Sequence, residues 1–320
     1  MHDTYRFLTD GSKNMKILFS LLPILIALLA GYAIGKLLPT QFRKPLLHSI
    51  TPLVWVLLFL IGFEFGEVIL SASSIGTVMK AAFVFAVCTT VFPCLLILML
   101  KSNRQSLPAK ARQPFRLTYI WPPLKECLIA LVMVGLGGVL YLLQDQILEE
   151  ALALPSSGAM LLLLILLVGI DLTQVKLNVQ WLSWSILAVP LFVVLGSLVG
   201  GAMAAWITGE SLRVSLALAS GFGWFTLSSV MIGDALGQVY GTMALMTDLL
   251  RELLAIMVLY ALGRHQPQVG IGSAGATALD STLPIIKQAC SPDAVPLALI
   301  SGFLLTLLAP VFITIMMPGI

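Results

Sequence analysis

Charged side chains are scarce in this sequence of 320 residues: Asp, Glu, Lys and Arg make up 10% of it, and hydrophobic residues make up 59%. A soluble domain carries roughly 25% charged residues. The composition therefore excludes an ordinary soluble protein, and the long apolar runs indicate membrane-spanning helices rather than a barrel. The formal net charge of +3 is small and the basic residues lie at segment ends. This distribution suits orientation in a bilayer and argues against nucleic acid as a partner.

The residues of metal and nucleophile chemistry are also few. No two cysteines have metal-ligand or redox spacing, and three lie in apolar runs, so we interpret all four as packing thiols. They are Cys88, Cys94, Cys127 and Cys290. The three histidines lie near segment ends, and no Ser–His–Asp set is present. We therefore predict no metal, no cofactor and no enzymatic activity.

Two short motifs resemble enzyme signatures without their context. Residues 270–275 fit G-x-G-x-x-G, but they follow a membrane span and no strand–helix–strand unit surrounds them, which argues against a dinucleotide site. Residues 231–234 resemble the Gly-x-Gly-Asp of intramembrane aspartyl proteases. Met231 replaces the first glycine and no Tyr-Asp partner exists. Neither motif predicts catalysis.

The apolar runs predict an all-α, polytopic membrane protein of about 8–10 transmembrane helices. Candidate spans are 17–38, 50–70, 77–100, 124–143, 157–175, 183–208, 212–233, 240–262 and 293–317. Residues 270–290 form a further broken or re-entrant segment. Residues 1–15 are a polar tail, and Met15-Lys16 resembles a second start. A cleaved signal peptide is the alternative interpretation of this end.

Basic loops predict the orientation of the chain in the membrane. Residues 101–125 form the densest basic cluster, and residues 36–44 hold three further basic residues. The charged residues within 144–156 are all acidic. The positive-inside rule assigns the first two loops to the cytoplasm and the third to the outside. The N-terminus is then outside.

A sequence pattern that occurs twice predicts inverted repeats. Gly62-x-Glu64 and Gly169-x-Asp171 each follow a large apolar run late in a span. Gly31 and Gly35 in the span before the first copy correspond to Gly135 and Gly138 before the second. An odd number of spans separates the copies, so they run in opposite directions, as is usual in secondary transporters. Chance similarity of leucine-rich runs is the alternative. The predicted parts are 16–100, a basic loop 101–123, 124–208 and a C-terminal part 211–320.

Acids inside the membrane are the most informative residues, because a charge at the bilayer centre costs on the order of 3 kcal/mol or more. Glu64, Asp171 and Asp280 are therefore candidate substrate- or proton-binding residues, whereas Glu67 and Asp234 are expected at the interfaces. A second group shares one helix face and comprises Asp248, Arg251 and Glu252. A structural ion pair that neutralises itself is the alternative for that group.

Glycine-interrupted runs supply candidate binding groups. Gly221 and Gly223 in one run, and Gly275 in another, weaken helical backbone and free polar groups for a substrate. The neighbouring hydroxyl groups are predicted to bind substrate, and Trp224 to stack on an ammonium group. These hydroxyls belong to Thr226, Ser228, Thr277 and Ser281. Close helix packing through small residues is the alternative, and we assign that role to Gly196 and Gly200.

Three motifs together resemble the LysO-type lysine exporters of bacteria. They are Ser220-Gly-Phe-Gly-Trp-Phe-Thr-Leu-Ser, Asp248-Leu-Leu-Arg-Glu-Leu-Leu-Ala-Ile and Gly275-Ala-Thr-Ala-Leu-Asp-Ser-Thr-Leu-Pro284. The resemblance implies proton-driven export of L-lysine and its analogue thialysine across the inner membrane. It also implies that Asp280 is the essential intramembrane acid, and that Asp248, Arg251 and Glu252 are the family's Asp-x-x-Arg-Glu. Glu64 stands where aspartate or an uncharged residue also occurs.

The resulting prediction is a lysine/proton antiporter. Asp280, with Glu64 or Asp171, meets the side-chain ammonium, and the interruptions at 221–223 and 270–277 receive the α-carboxylate and α-amine. The alternative is a channel or cation/proton antiporter that never handles amino acids. A membrane enzyme is a third and weaker hypothesis.

Overall fold

The computed structural model describes residues 22–66, 72–99, 121–147, 154–173 and 184–317. These ranges are helical and contain no strand, which confirms the predicted all-α class. The predicted tail 1–15, residues 101–120 of the basic loop, Glu67 and the side chain of Cys127 lie outside the described residues.

The helices follow the apolar runs, because a spanning segment must satisfy its backbone hydrogen bonds internally. In the first half they are α1 (Leu22–Leu37), α2 (Thr40–His48), α3 (Ile50–Glu64), α4 (Ala72–Met99), α5 (Trp121–Ile147), α6 (Ser157–Leu172) and α7 (Trp184–Thr208). In the second half they are α8 (Leu212–Ala219), α9 (Phe225–Leu236), α10 (Gln238–Leu262), α11 (Pro267–Ala274), α12 (Leu283–Ala289) and α13 (Val295–Met316). Short 3₁₀ helices cover Gly275–Leu279 and Pro292–Ala294.

Four helices in the described ranges are long and apolar enough to cross a membrane, and shorter apolar helices accompany them. The four are Gln41–Glu64, Ile75–Met99, Ile186–Thr208 and Val295–Met316. The protein is therefore a multi-pass membrane protein, as predicted. One predicted span, 212–233, is not continuous: it is divided between α8 and α9, because its backbone turns at the glycine pair between them.

Two helix crossings in the first half have the same geometry. Helix α1 crosses α6 with Gly31 against the Leu166 carbonyl and Gly169 against the Leu28 carbonyl. Each glycine thus contacts the carbonyl three residues before the partner glycine. Small residues allow this close approach of two backbones.

Helix α3 repeats that arrangement against α5. Gly62 lies against the Val134 carbonyl and Gly137 against the Phe59 carbonyl, with the same offset of three residues. The repeat prediction matched Gly31 and Gly35 to Gly135 and Gly138, but the equivalent contact is made by Gly137, and Gly135 faces open space. The reason is that each residue turns a helix by 100°, so neighbouring glycines face different partners. The exchange of partners supports an inverted repeat of α1–α4 and α5–α7.

The last helices of these two sets, α4 and α7, pack against each other. Gly196 lies against the backbone of Pro93, and Gly200 against the Cys88 carbonyl. These glycines therefore have the packing role predicted for them. Cys88, Cys94 and Cys290 are buried free thiols, in agreement with their predicted role as packing residues.

Candidate functional site

The first interruption joins α8 to α9 through residues 220–224. Phe222 and Gly223 have φ angles of +51° and +95°. The left-handed region suits glycine and is uncommon for a bulky residue such as phenylalanine, so surrounding contacts must hold Phe222 in place. Its side chain is fully buried and meets the Phe312 ring edge-on at 6.0 Å between centroids.

The second interruption follows α11 and begins at Gly275, whose φ is +66°. The Ala276 N–H donates to the Phe222 carbonyl over 2.9 Å, so the two interruptions are bonded to each other. A side chain at Gly275 would overlap that carbonyl. Glycine is therefore required here both by the backbone angle and by the close approach.

Asp248 on α10 holds the first interruption in place through hydrogen bonds. Its carboxylate accepts hydrogen bonds from the Gly223 N–H at 3.0 Å and from the Ser228 hydroxyl at 2.5 Å. The space beside Gly221 is filled by the same carboxylate. Asp248 is 1% exposed. Its contacts are those of a group that shapes the interruption.

Arg251 lies one helical turn further along α10 and is also 1% exposed. Its Nη1 donates to the Ser197 hydroxyl on α7 over 3.2 Å. Its Nη2 lies beside Gly275 of the second interruption. The guanidinium thus lies between α7 and the point where the two interruptions cross. We call this side the back of the crossing.

In front of the crossing lies a cavity of about 600 Å³, within the range typical of small-molecule sites. Three carboxylates from separate elements line it: Asp171 at the end of α6, Glu252 on α10, and Asp280 after the second interruption. Glu252 is 3% exposed, whereas Asp280 is exposed. Such a group of acids suits a cation, because an opposite charge nearby stabilises each carboxylate.

The cavity wall contains many of the other predicted residues as well. These are Gly223, Trp224, Thr226, Thr277 and Ser281. Asp248, Arg251, Gly221, Ser228 and Gly275 are not among the lining residues. The predicted set therefore divides into residues that line the cavity and residues that hold the crossing behind it.

Sequence reasoning missed five polar or aromatic lining residues: Thr51 and Trp55 on α3, Lys125 on α5, Phe225 on α9 and Thr306 on α13. The available signal for Lys125 was its place at the start of an apolar run, which we used only for orientation. Trp55 and Thr51 lie on one face of α3, but nothing in the sequence identifies the helix that this face meets.

Glu64 lies at the far end of α6 from Asp171. Its carboxylate accepts hydrogen bonds from the Ser157 N–H at 2.9 Å and the Ser157 hydroxyl at 2.5 Å. Asp234 lies beside the same helix end, next to Gly158. Because a helix rises 1.5 Å per residue, the start of α6 is about 20 Å from Asp171, and Glu64 does not line the cavity. Glu64 and Asp171, the two acids of the repeated pattern, are thus at opposite ends of one helix.

No group of three His, Cys, Asp or Glu side chains in the described part of the chain is arranged to hold a metal ion. The three cavity carboxylates come from different elements around the wall.

Comparison with known proteins now adds to this geometry. The family model described as lysine exporter LysO matches residues 129–317, more than half of the chain and the part that contains both interruptions. The chain is 32% identical to "Lysine exporter LysO" of Escherichia coli K12 over 302 residues, which are 92% of this chain and 97% of that protein. The chain belongs to the LysO family.

A second relative from this family is the "Putative lysine exporter" of Haemophilus influenzae Rd, 37% identical over 145 residues, which are 45% of this chain and 72% of that protein. No solved structure matches the chain. Membership confirms the resemblance drawn from the three motifs. It also means that the chain is a transporter and not an enzyme.

Proposed function

We propose that this protein is a secondary transporter that exports L-lysine, and analogues such as thialysine, across the inner membrane in exchange for protons. The observation that carries the proposal is the cavity that Asp171, Glu252 and Asp280 line beside two crossing helix interruptions. Its relatives are named lysine exporters. Lysine carries two ammonium groups, which such a set of carboxylates would bind.

Exchange with protons follows from the chemistry of a carboxylate. A proton and an ammonium group compete for the same oxygen atoms, because protonation removes the charge that attracts the cation. Protonation of Asp280 and Asp171 from the outer side would release lysine, and deprotonation inside would restore the site. Trp55 and Trp224 in the cavity wall offer aromatic faces to the same ammonium groups.

The proposed direction of transport rests on the ends of the helices. Thr51 and Lys125 lie near the starts of α3 and α5, which follow the two basic stretches of the sequence. The positive-inside rule assigns those starts to the cytoplasm and the N-terminus to the periplasm. The cavity then opens toward the cytoplasm, where an exporter takes up its substrate.

Glu64 and Asp234 belong to the opposite end of the protein in this scheme. Glu64 is partly buried and bonded to Ser157, whereas Asp234 is exposed. We propose that they carry protons near the outer face and do not contact lysine bound in the cavity. Asp248 and Arg251 position the interruptions.

The deciding experiment uses Asp280→Asn, which keeps the shape of the side chain and removes its charge. We expect loss of lysine export and of thialysine resistance, with normal amounts of protein in the membrane, because the ammonium group loses its counter-charge. Asp293→Asn is the matched control, since Asp293 is exposed and outside the cavity. Full thialysine resistance in the Asp280→Asn strain would contradict the proposal.

Proteoliposomes that contain the purified protein separate this function from cation/proton antiport without amino acids. Counterflow of labelled lysine is expected in wild-type vesicles. Na⁺-driven proton movement reported by a pH dye, with no lysine counterflow, would favour the alternative.

A further inference from the structure

A lysine molecule brings a carboxylate as well as two ammonium groups, so its site needs a donor for an anion. The sequence favoured the helix interruptions for this task, because interrupted helices free backbone N–H groups. In the structure one N–H group of each interruption is already engaged. The Gly223 N–H donates to Asp248, and the Ala276 N–H donates to the Phe222 carbonyl.

The turn after the second interruption is engaged in the same way. The Asp280 and Thr282 N–H groups both donate to the Thr277 carbonyl, each over 3.1 Å. The Ser281 N–H donates to the Asp280 carboxylate over 2.6 Å. A substrate carboxylate placed here would displace internal bonds and would face the negative charge of Asp280.

Arginine would be the usual partner of a carboxylate, but Arg251 does not reach the cavity. Its side chain is directed behind the crossing to Ser197 on α7, and it is not a lining residue. Among the described residues that line the cavity, Lys125 is the one lysine or arginine. Its side chain is exposed, and Ile129 continues the same face of α5 along the cavity wall.

We propose that Lys125 binds the α-carboxylate of the substrate and thereby makes the site specific for amino acids over diamines. This inference rests on the proposed function. A lysine side chain has three donors on a flexible stem and can follow a carboxylate into a partly open cavity. The carboxylate group of the substrate is then held at the α5 wall, and its ammonium groups face Asp171, Glu252 and Asp280.

Lys125 at the cavity wall also fixes the orientation of the bound substrate. A molecule with ammonium groups at both ends and no carboxylate would meet the positive charge of Lys125 at the cavity wall without a counter-charge of its own. Neutral amino acids would pair with Lys125 and leave the acids without a side-chain cation. The site therefore selects amino acids with a cationic side chain.

The test compares lysine with two molecules that lack its carboxylate: 1,5-diaminopentane and lysinamide. Half-saturation by lysine and inhibition by each analogue are measured in the same counterflow assay with wild-type protein and the Lys125→Gln variant. We expect Lys125→Gln to raise the half-saturation concentration of lysine about tenfold to a hundredfold, the range of a charge-assisted hydrogen bond, and to leave inhibition by both analogues unchanged or improved.

Two further variants separate recognition from structure. Lys125→Arg keeps the charge and is expected to restore most of the affinity for lysine. Lys80→Gln removes an exposed lysine outside the cavity and is expected to change nothing. Because lysine and the analogues compete on one preparation, their ratio does not depend on the amount of folded protein.

Equal weakening of lysine and diamine binding by Lys125→Gln, or no change in either, would overturn the inference. Inhibition of the wild-type protein by lysinamide as strongly as by lysine would overturn it without any variant. Absence of lysine counterflow in wild-type vesicles would instead contradict the proposed function itself.

Discussion

At the scale of single residues, the acids and the arginine around the crossing have two different environments. Asp248 and Arg251 are enclosed behind the crossing and bonded to protein groups. Asp171, Glu252 and Asp280 line a cavity of about 600 Å³. A buried charge needs partners within the protein, and a charge that lines a cavity is also within reach of a substrate. Neighbours in sequence, Arg251 and Glu252, therefore fall into different groups.

Two hydroxyl residues on α9 test this division. Ser228 donates to Asp248, so Ser228→Ala leaves a buried carboxylate short of a donor and should destabilise the protein by about 1–3 kcal/mol. Thr226 lines the cavity, so Thr226→Ala should raise the half-saturation concentration of lysine with little change in stability. Melting temperature in detergent and counterflow kinetics measure the two effects. The division would be wrong if Ser228→Ala altered only lysine affinity.

At the scale of helices, glycine contacts hold the first half together. Helices α3 and α5 approach so closely at Gly62 and Gly137 that their backbones touch. In a membrane such packing, rather than burial from water, is a main source of helix association. The crossing of α1 with α6 uses the same arrangement at Gly31 and Gly169.

Helix α5 contains its own control for this crossing. Gly137→Ala places a methyl group into the Phe59 carbonyl and should lower the melting temperature, because α3 must move away. Gly135→Ala, two residues earlier, meets nothing within 4 Å and should be neutral or slightly stabilising, since alanine favours helix over glycine by about 1 kcal/mol. Thermal unfolding of the two variants in one detergent measures the difference. Equal melting temperatures would mean that the crossing tolerates separation.

At the scale of the whole molecule, the cavity and the Glu64–Ser157 contact lie at opposite ends of α6. An exporter must expose its site alternately to the two sides of the membrane. The separation of these ends by about 20 Å puts the proposed lysine site and the proposed outer acids on different faces.

Cysteine labelling tests the direction of this arrangement. In a background without the four native cysteines, Thr51→Cys at the cavity and Ser156→Cys before α6 each introduce one exposed thiol. A membrane-impermeant maleimide should label Ser156→Cys in intact cells and Thr51→Cys only in inside-out vesicles. Added lysine should slow labelling of Thr51→Cys. The reverse pattern of labelling would require the opposite orientation.

Composition and periodicity alone were sufficient for the helical membrane class, because apolar length and internal hydrogen bonding leave a bilayer segment few alternatives. The glycine runs likewise located both interruptions, since backbone freedom is a local property. Three motifs in order were enough to identify the LysO family.

Tertiary structure alone decided which polar residues line the same cavity. Glu64 and Asp171 are equivalent in the sequence repeat, yet only Asp171 reaches the cavity, because the two lie at opposite ends of α6. The interruptions were expected to offer free N–H groups, but the Ala276 N–H donates to the Phe222 carbonyl and the Gly223 N–H donates to Asp248. In the sequence, Lys125 indicated only the orientation of the chain in the membrane. The packing of α3, α5 and α6 places it in the wall of the cavity. Such contacts join residues far apart in the chain, and the local spacing of a sequence does not contain them.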